Sequence, residues 1–183
     1  MKVHKKSFNI QKPFGNLFRK KHVLVVIIDK NNNLVLGMKP NVYPDGISRF
    51  IGGGIHKNEN TLIAAKRELF EETRIYTDKS NFKELMTVII DVKDQTQKLY
   101  HLVTYIYVFK LQDNIITPSD DIKNIEILNL EELYMLSKRY FSLPNDQWKY
   151  KDENKLYSWG DYGKVYGYIH KLVADELKLK KLI

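Results

Sequence analysis

The chain has 183 residues, of which 43% are hydrophobic and 28% charged, a balance that suits one globular domain with a real core, or one domain plus an extension. It contains no cysteine, which excludes disulfides, thiolate metal sites and cysteine nucleophiles. The formal net charge of +8 fits attraction to nucleotides, nucleic acid or anionic lipid, and equally fits plain solubility.

Residues 1–21 read as a basic lead-in without the apolar centre of a signal peptide, with a short strand near Phe14 to Phe18. No stretch reaches the roughly 18 apolar residues that mark a membrane span, so a cytoplasmic protein with no membrane partner is expected. Val23 to Asp29 is a continuous apolar run of strand length, and Leu34 to Met38 follows an Asn-rich turn, so the two predict a hairpin. Pro40 to Gly46 is a loop, and Arg49 to Ile51 is a short strand running into Gly52, Gly53 and Gly54.

A helix is predicted over Thr61 to Thr73, with Asn60 as its N-cap. Phe82 to Val92 and Leu99 to Leu111 are two long strands rich in β-branched and aromatic residues. Ile125 to Leu130 is a further strand, Glu131 to Lys138 begins a helix, and Val165 to Lys181 is the last helix. The fold class is therefore α+β, with a main domain over 22–137 and an aromatic C-terminal extension over 138–183 packed on that domain.

The chemistry concentrates in the helix after the glycines. At about 100° per residue, Glu68, Glu71 and Glu72 share one arc, while Leu62, Ala65 and Leu69 occupy the adjoining arc. Three neighbouring carboxylates repel one another. Exposure to water offsets that cost in most acidic helices, and Arg67 stands at the right spacing to pair with Glu71. A hard divalent cation is the functional alternative, because Mg²⁺ and Mn²⁺ prefer oxygen ligands. Glycines just before the helix let backbone carbonyls and N–H groups approach a ligand closely.

The segment from Gly53 to Ile75 resembles the Nudix box. That motif reads Gly, five residues, Glu, seven residues, Arg-Glu-aliphatic, any residue, Glu-Glu, any residue, Gly-aliphatic. Gly53, Glu59, Arg67, Glu68, Leu69, Glu71, Glu72 and Ile75 stand at the required places. Arg74 replaces the late glycine, and Ile51 stands where many relatives carry proline. The resemblance implies an α/β/α sandwich with a mixed sheet and hydrolysis of a pyrophosphate linkage. It implies Mg²⁺ or Mn²⁺ held by Glu68, Glu72 and the Gly52 carbonyl, with Glu71 close by. It makes Glu68 a candidate base for the attacking water, and casts Gly53, Glu59 and Arg67 as residues that hold loop to helix. The family often places a further acid in a later loop; Asp121 is the first candidate, Asp120 the second and Glu126 the third.

The substrate is less legible. Asp91, Val92 and Lys93 occupy the zone where some subfamilies carry a proline or tyrosine marker, so neither marker is present. Lys39 and Arg49 are candidates to meet phosphate. Phe50 is a candidate for the base, along with Tyr43, Tyr100, Tyr105 and Tyr107, although core packing is the commoner role of such rings. Trp148, Tyr150, Tyr157, Trp159 and Tyr162 suit local packing, a cap on the pocket, or a homodimer face. A nucleotide-like small molecule is the expected partner. An RNA 5′ end is a less favoured alternative, and a non-catalytic ligand sensor a third, disfavoured because every acid of the box is intact.

Overall fold

The computed structural model describes residues 2–40, 42–112, 115–145, 147–149 and 156–183. In chain order the elements are β1 (Val3–Asn9), a 3-10 turn (Gly15–Arg19), β2 (Lys21–Ile28), β3 (Leu34–Met38), β4 (Ser48–Arg49), β5 (Ile51–Gly54) and α1 (Thr61–Thr73). After a short 3-10 turn at Lys79–Asn81 come β6 (Phe82–Lys93), β7 (Leu99–Lys110), β8 (Asn124–Leu128) and α2 (Leu130–Phe141). A small hairpin of β9 (Gln147–Lys149) and β10 (Leu156–Ser158) leads into α3 (Trp159–Leu179).

Eight strands form one mixed sheet. Its path runs β1-β6-β7-β2-β3-β4, with β5 paired to β2 and β8 paired to β3. The β1/β6 and β2/β7 pairs are parallel, and the remaining pairs are antiparallel. Strand alternation explains why the apolar run at the start of the domain has no polar gaps. Val23, Val25 and Ile27 pack on the α1 side with Ala64, Ala65 and Leu69, whereas Leu24, Val26 and Ile28 pack on the other side with residues of α2 and α3. Burial on both faces makes this an α/β/α sandwich.

The hairpin between β2 and β3 is closed by Asp29, whose carboxylate accepts from the backbone N–H of Asn31 and Asn33 at 2.8 Å each. Asn60 caps α1 by accepting from the Leu62 N–H at 2.8 Å. At the far end Arg74 takes the left-handed conformation, φ 60°, that the missing glycine would adopt without strain. No helix among the described residues is long and apolar enough to cross a membrane.

The N-terminal region differs from the expectation. Phe14 to Phe18 is not a strand: Gly15–Arg19 forms a 3-10 turn, and Phe14 and Leu17 are buried in the core. The strand lies earlier, at Val3–Asn9, and joins the sheet edge in parallel register with β6. Most of its side chains are exposed, so no apolar alternation announces it; lysines on such an edge discourage pairing with another chain. The last helix starts at Trp159 rather than Val165 and ends at Leu179. Trp159 and Tyr162 in its first turn are buried against Tyr43, as local packing requires. Tyr150 lies outside the described residues, as do the side chains of Trp148 and Tyr157.

Candidate active site

β5 delivers two glycines to the N-terminal half of the site. Gly52 has φ 142°, and a Cβ there would stand 2.2 Å from the Val23 carbonyl oxygen. A Cβ on Gly53 would stand 2.6 Å from Glu68 Oε1. Only glycine lets this strand lie so close to the carboxylates of α1.

Glu68 and Glu72 are one helical turn apart and both are buried. Glu72 Oε2 accepts from the Gly52 N–H at 2.9 Å, and its Oε1 lies 3.2 Å from Lys39 Nζ. Lys39, itself buried, also reaches Asp121 Oδ2 at 3.2 Å, so one ammonium links the helix to the late loop. Glu71 is more open, at 43% side-chain exposure. Burial raises the Glu68 carboxyl above the usual glutamate range, against the pull of Arg67.

Arg67 organises the box. Its Nε and one terminal nitrogen hold both Glu59 oxygens at 2.8 and 3.0 Å. That second nitrogen also donates to the Gly54 carbonyl at 2.9 Å. The other terminal nitrogen bridges Glu68 at 2.7 Å and Glu71 at 2.9 Å. Its five donors in a rigid fork are what such a junction needs. The Arg67 hydrogen bonds, joined by a 2.9 Å bond from the His56 N–H, hold the Glu59 carboxyl down at about 2.

These groups surround one cavity of about 280 Å³. Of the residues expected from sequence, Lys39, Arg49, Gly52 and Gly53 line it, as do Arg67, Glu68, Glu71, Glu72 and Asp121. Asp120 and Tyr43 line it as well. Glu59 stands behind Arg67 as a support. Glu126 lies on β8 and does not reach the cavity.

Phe50 is a correction. It is 1% exposed and stacks on His170 of α3 with ring centroids 4.7 Å apart, so it is a core residue and no base platform. Its large ring gains more from full burial than from a solvated rim. Tyr107 is also buried, with its hydroxyl 2.7 Å from Thr61 Oγ1. Tyr100 is buried with its hydroxyl on Asp94 at 3.0 Å. Neither tyrosine lines the cavity, nor does Tyr105.

The opposite wall holds residues that sequence reasoning missed: Asn16 and Arg19 on the 3-10 turn, and His22 at the start of β2. Arg49 completes it, donating to the Gly52 and Phe50 carbonyls and, at 3.1 Å, to the Tyr43 hydroxyl. His22 is 5% exposed, and its Nε2 has no hydrogen-bond partner. Burial, then Arg49 and Arg19, push its imidazole down to about 4, so it is neutral near pH 7. The only sequence signal for this wall was the basic cluster from Arg19 to His22 just before the apolar run.

The donor set suits a hard cation. The Glu68 and Glu72 carboxylates and the Gly52 carbonyl are oxygen donors gathered at one cavity. No group of three His, Asp or Glu side chains among the described residues is close enough to form a cage on its own. Arg49 already donates to the Gly52 oxygen, but a carbonyl has a second lone pair to offer.

Comparison with known proteins agrees with this architecture. The MutT protein of Bacillus halodurans superposes with a TM-score of 0.53 at 19% identity, over 63% of this chain and 72% of that one. The dihydroneopterin triphosphate pyrophosphohydrolase of E. coli gives 0.51 at 15% identity, over 64% and 85%. A MutT/nudix family protein from Enterococcus faecalis gives 0.49 at 20% identity, over 59% of this chain but only 42% of its own length. At such identities the first two likenesses establish the fold alone. A search of curated protein sequences gives no match. The NUDIX domain profile matches residues 18–150, most of the chain, and spans every strand of the sheet except β1, with the glycines and the box helix. The chain thus belongs to the Nudix family, the hydrolases that act on phosphoanhydride bonds.

Proposed function

We propose that this protein is a divalent-metal-dependent hydrolase that cuts a pyrophosphate bond in a nucleoside diphosphate-linked or nucleoside triphosphate substrate. The observation that carries the reading is the convergence of Glu68, Glu72, Gly52 and Lys39 on one cavity. Glu68, Glu72 and the Gly52 carbonyl would hold Mg²⁺ or Mn²⁺, with Glu71 at the margin. The ion would neutralise diphosphate oxygens and acidify a bound water.

The chain's own residues do the rest. Lys39 and Arg49 meet phosphate oxygens as charge gathers on the leaving group. Glu68 is the proposed base, because its carboxylate lies in the cavity beside Glu72 and Gly52, where the attacking water would be held. Asp121, tied to Lys39, is the second candidate for that proton. Arg67 touches no reacting atom in this scheme; it positions Glu68 and Glu71.

A product assay tests the reading. The protein is incubated with Mg²⁺ or Mn²⁺ and nucleoside triphosphates, ADP-ribose, nucleotide sugars, dinucleoside polyphosphates or 5′-triphosphate RNA, beside Glu72→Gln. Cleavage at a phosphoanhydride that is lost in the variant and on addition of EDTA supports it. Turnover that persists in Glu72→Gln contradicts it. Absence of turnover by folded wild-type protein points to a ligand-sensing domain. Cleavage confined to RNA, with binding that weakens steeply with salt, would shift the assignment to RNA ends.

A further inference from the structure

The two walls of the cavity treat their charges differently. Lys39 and Arg67, on the acidic wall, are already matched by carboxylates: Lys39 by Glu72 and Asp121, Arg67 by Glu59, Glu68 and Glu71. On the opposite wall no carboxylate stands within ion-pair distance of Arg49 or Arg19 among the described residues. Arg49 spends its donors on two carbonyls and a tyrosine hydroxyl, all neutral. Glu72 acts on Arg49 from beyond ion-pair distance, so the guanidinium has a carboxylate nearby but none bonded to it, and an anion in the cavity could take direct charge-assisted bonds.

His22 adds a second, independent sign. Its ring is buried, lines the cavity, and leaves Nε2 without a partner. A hydrogen bond to the Asn16 backbone engages the other side of the ring. The neutral ring then carries its lone pair on Nε2, with Arg49 and Arg19 both near enough to act on its charge. A buried acceptor of this kind lacks only a donor. A singly protonated phosphate offers both parts at once: anionic oxygens for the guanidiniums and one P–OH for the imidazole.

We infer that Arg19, His22 and Arg49, with Asn16 beside them, form a subsite for a terminal phosphate, so that the enzyme prefers a triphosphate chain to a diphosphate capped by a sugar. The inference rests on the proposal that the acidic wall takes the scissile diphosphate. The neighbouring glycines set the spacing. Glu68 packs on Gly53 and Arg19 packs on Gly54, where a Cβ would lie 3.2 Å from Arg19 Cδ. Adjacent strand residues point to opposite faces, so Glu68 and Arg19 flank β5 from its two sides, and a phosphate chain rounding that strand would meet the carboxylate-held cation on one side and the arginines on the other. A neutral sugar in the second position would offer the two guanidiniums no anionic oxygen.

Arg19→Gln is the variant of choice, because Arg19 is exposed and its loss leaves the core intact. The readout is the ratio of kcat/KM for a nucleoside triphosphate to that for a nucleotide sugar. The ratio should fall about tenfold or more in Arg19→Gln, the scale of a lost charge-assisted hydrogen bond. An unchanged ratio overturns the subsite, whatever the absolute loss of rate. A second measurement is independent of turnover: calorimetric binding of inorganic phosphate in EDTA. Wild-type binding that weakens about tenfold in Arg19→Gln supports the subsite even if no substrate is cleaved. Equal binding by the two proteins, or none by wild type, overturns it.

Discussion

The acidic wall on α1 and the cationic wall that shares its cavity are built on opposite principles. On the acidic wall every carboxylate has a partner: Gly52 N–H and Lys39 for Glu72, Arg67 for Glu59, Glu68 and Glu71. That wall is held in place by its own ion pairs and hydrogen bonds. On the opposite wall two guanidiniums and a neutral imidazole share no carboxylate within ion-pair distance among the described residues. One wall stores its geometry in internal ion pairs; the other holds unspent charge for an incoming anion. Chemistry demands fixed positions on the first wall, and recognition demands open valence on the second.

The most severe way to break this contrast is to remove an acid that nothing can replace. Glu72→Gln keeps the shape but removes the charge that faces Lys39, and kcat/KM should fall by more than about 100-fold, beyond what residues that merely orient ligands usually cost. Steady-state kinetics with Mn²⁺, alongside calorimetric Mn²⁺ binding, checks it; a loss under tenfold would mean that the acidic wall is not the reacting one. Arg67→Lys comes next. A lysine cannot span Glu59, Glu68, Glu71 and the Gly54 carbonyl at once. Activity should fall about 10–100-fold, mostly in kcat, while the protein stays folded. Loss confined to KM would place Arg67 on the substrate instead of behind the carboxylates.

A gentler test follows from Glu59. Its carboxyl titrates near 2 in the folded protein against an ordinary 4.5. The unfolded chain therefore binds the proton first as pH falls, and the Glu59–Arg67 pair contributes stability that is complete above pH 4.5 and fades as pH drops through 2. Thermal melts of wild type and Glu59→Gln should differ at neutral pH and converge across that window. A constant gap would mean that the variant acts through packing and not through charge.

The same contrast explains what could be read in advance. The acidic wall lies within one contiguous stretch, Gly53 to Ile75, whose helical period brings the glutamates together without help from the rest of the chain. The limits of α1, its Asn60 cap and the close approach of Gly52 all followed from local chemistry. The cationic wall draws Asn16 and Arg19 from a 3-10 turn, His22 from β2 and Arg49 from β4, and only the sheet brings them together. β2 pairs with β5 in the register His22 to Gly54, which sets His22 beside the glycine that Arg19 packs on. No period in the sequence encodes that. Phe50 shows the complementary limit: it adjoins Arg49 in sequence, yet one residue along an extended chain exchanges the cavity for the core. The β1 strand was hidden because it joins the edge through backbone pairing and buries little.

The smallest effect concerns the helix that carries the acidic wall. Arg74 sits at φ 60° and ψ 14°, donating its N–H to the Phe70 carbonyl at 2.9 Å, the left-handed cap that glycine adopts freely. An L-side chain there costs on the order of 1 kcal/mol. Arg74 regains part of it by laying its guanidinium 5.5 Å from the Phe70 ring centre and by favouring the negative end of the helix dipole. The balance for Arg74→Gly is a gain of about 0.5 kcal/mol, or roughly 1–2 °C in Tm for a chain of this length. If α1 serves only as a rigid mount, that gain leaves kcat/KM within about twofold, because no contact of Glu68 or Glu72 passes through Arg74. A change in rate larger than that, with Tm raised as expected, would show that strain at this cap tunes the carboxylates, and that the acidic wall is less self-contained than its ion pairs suggest.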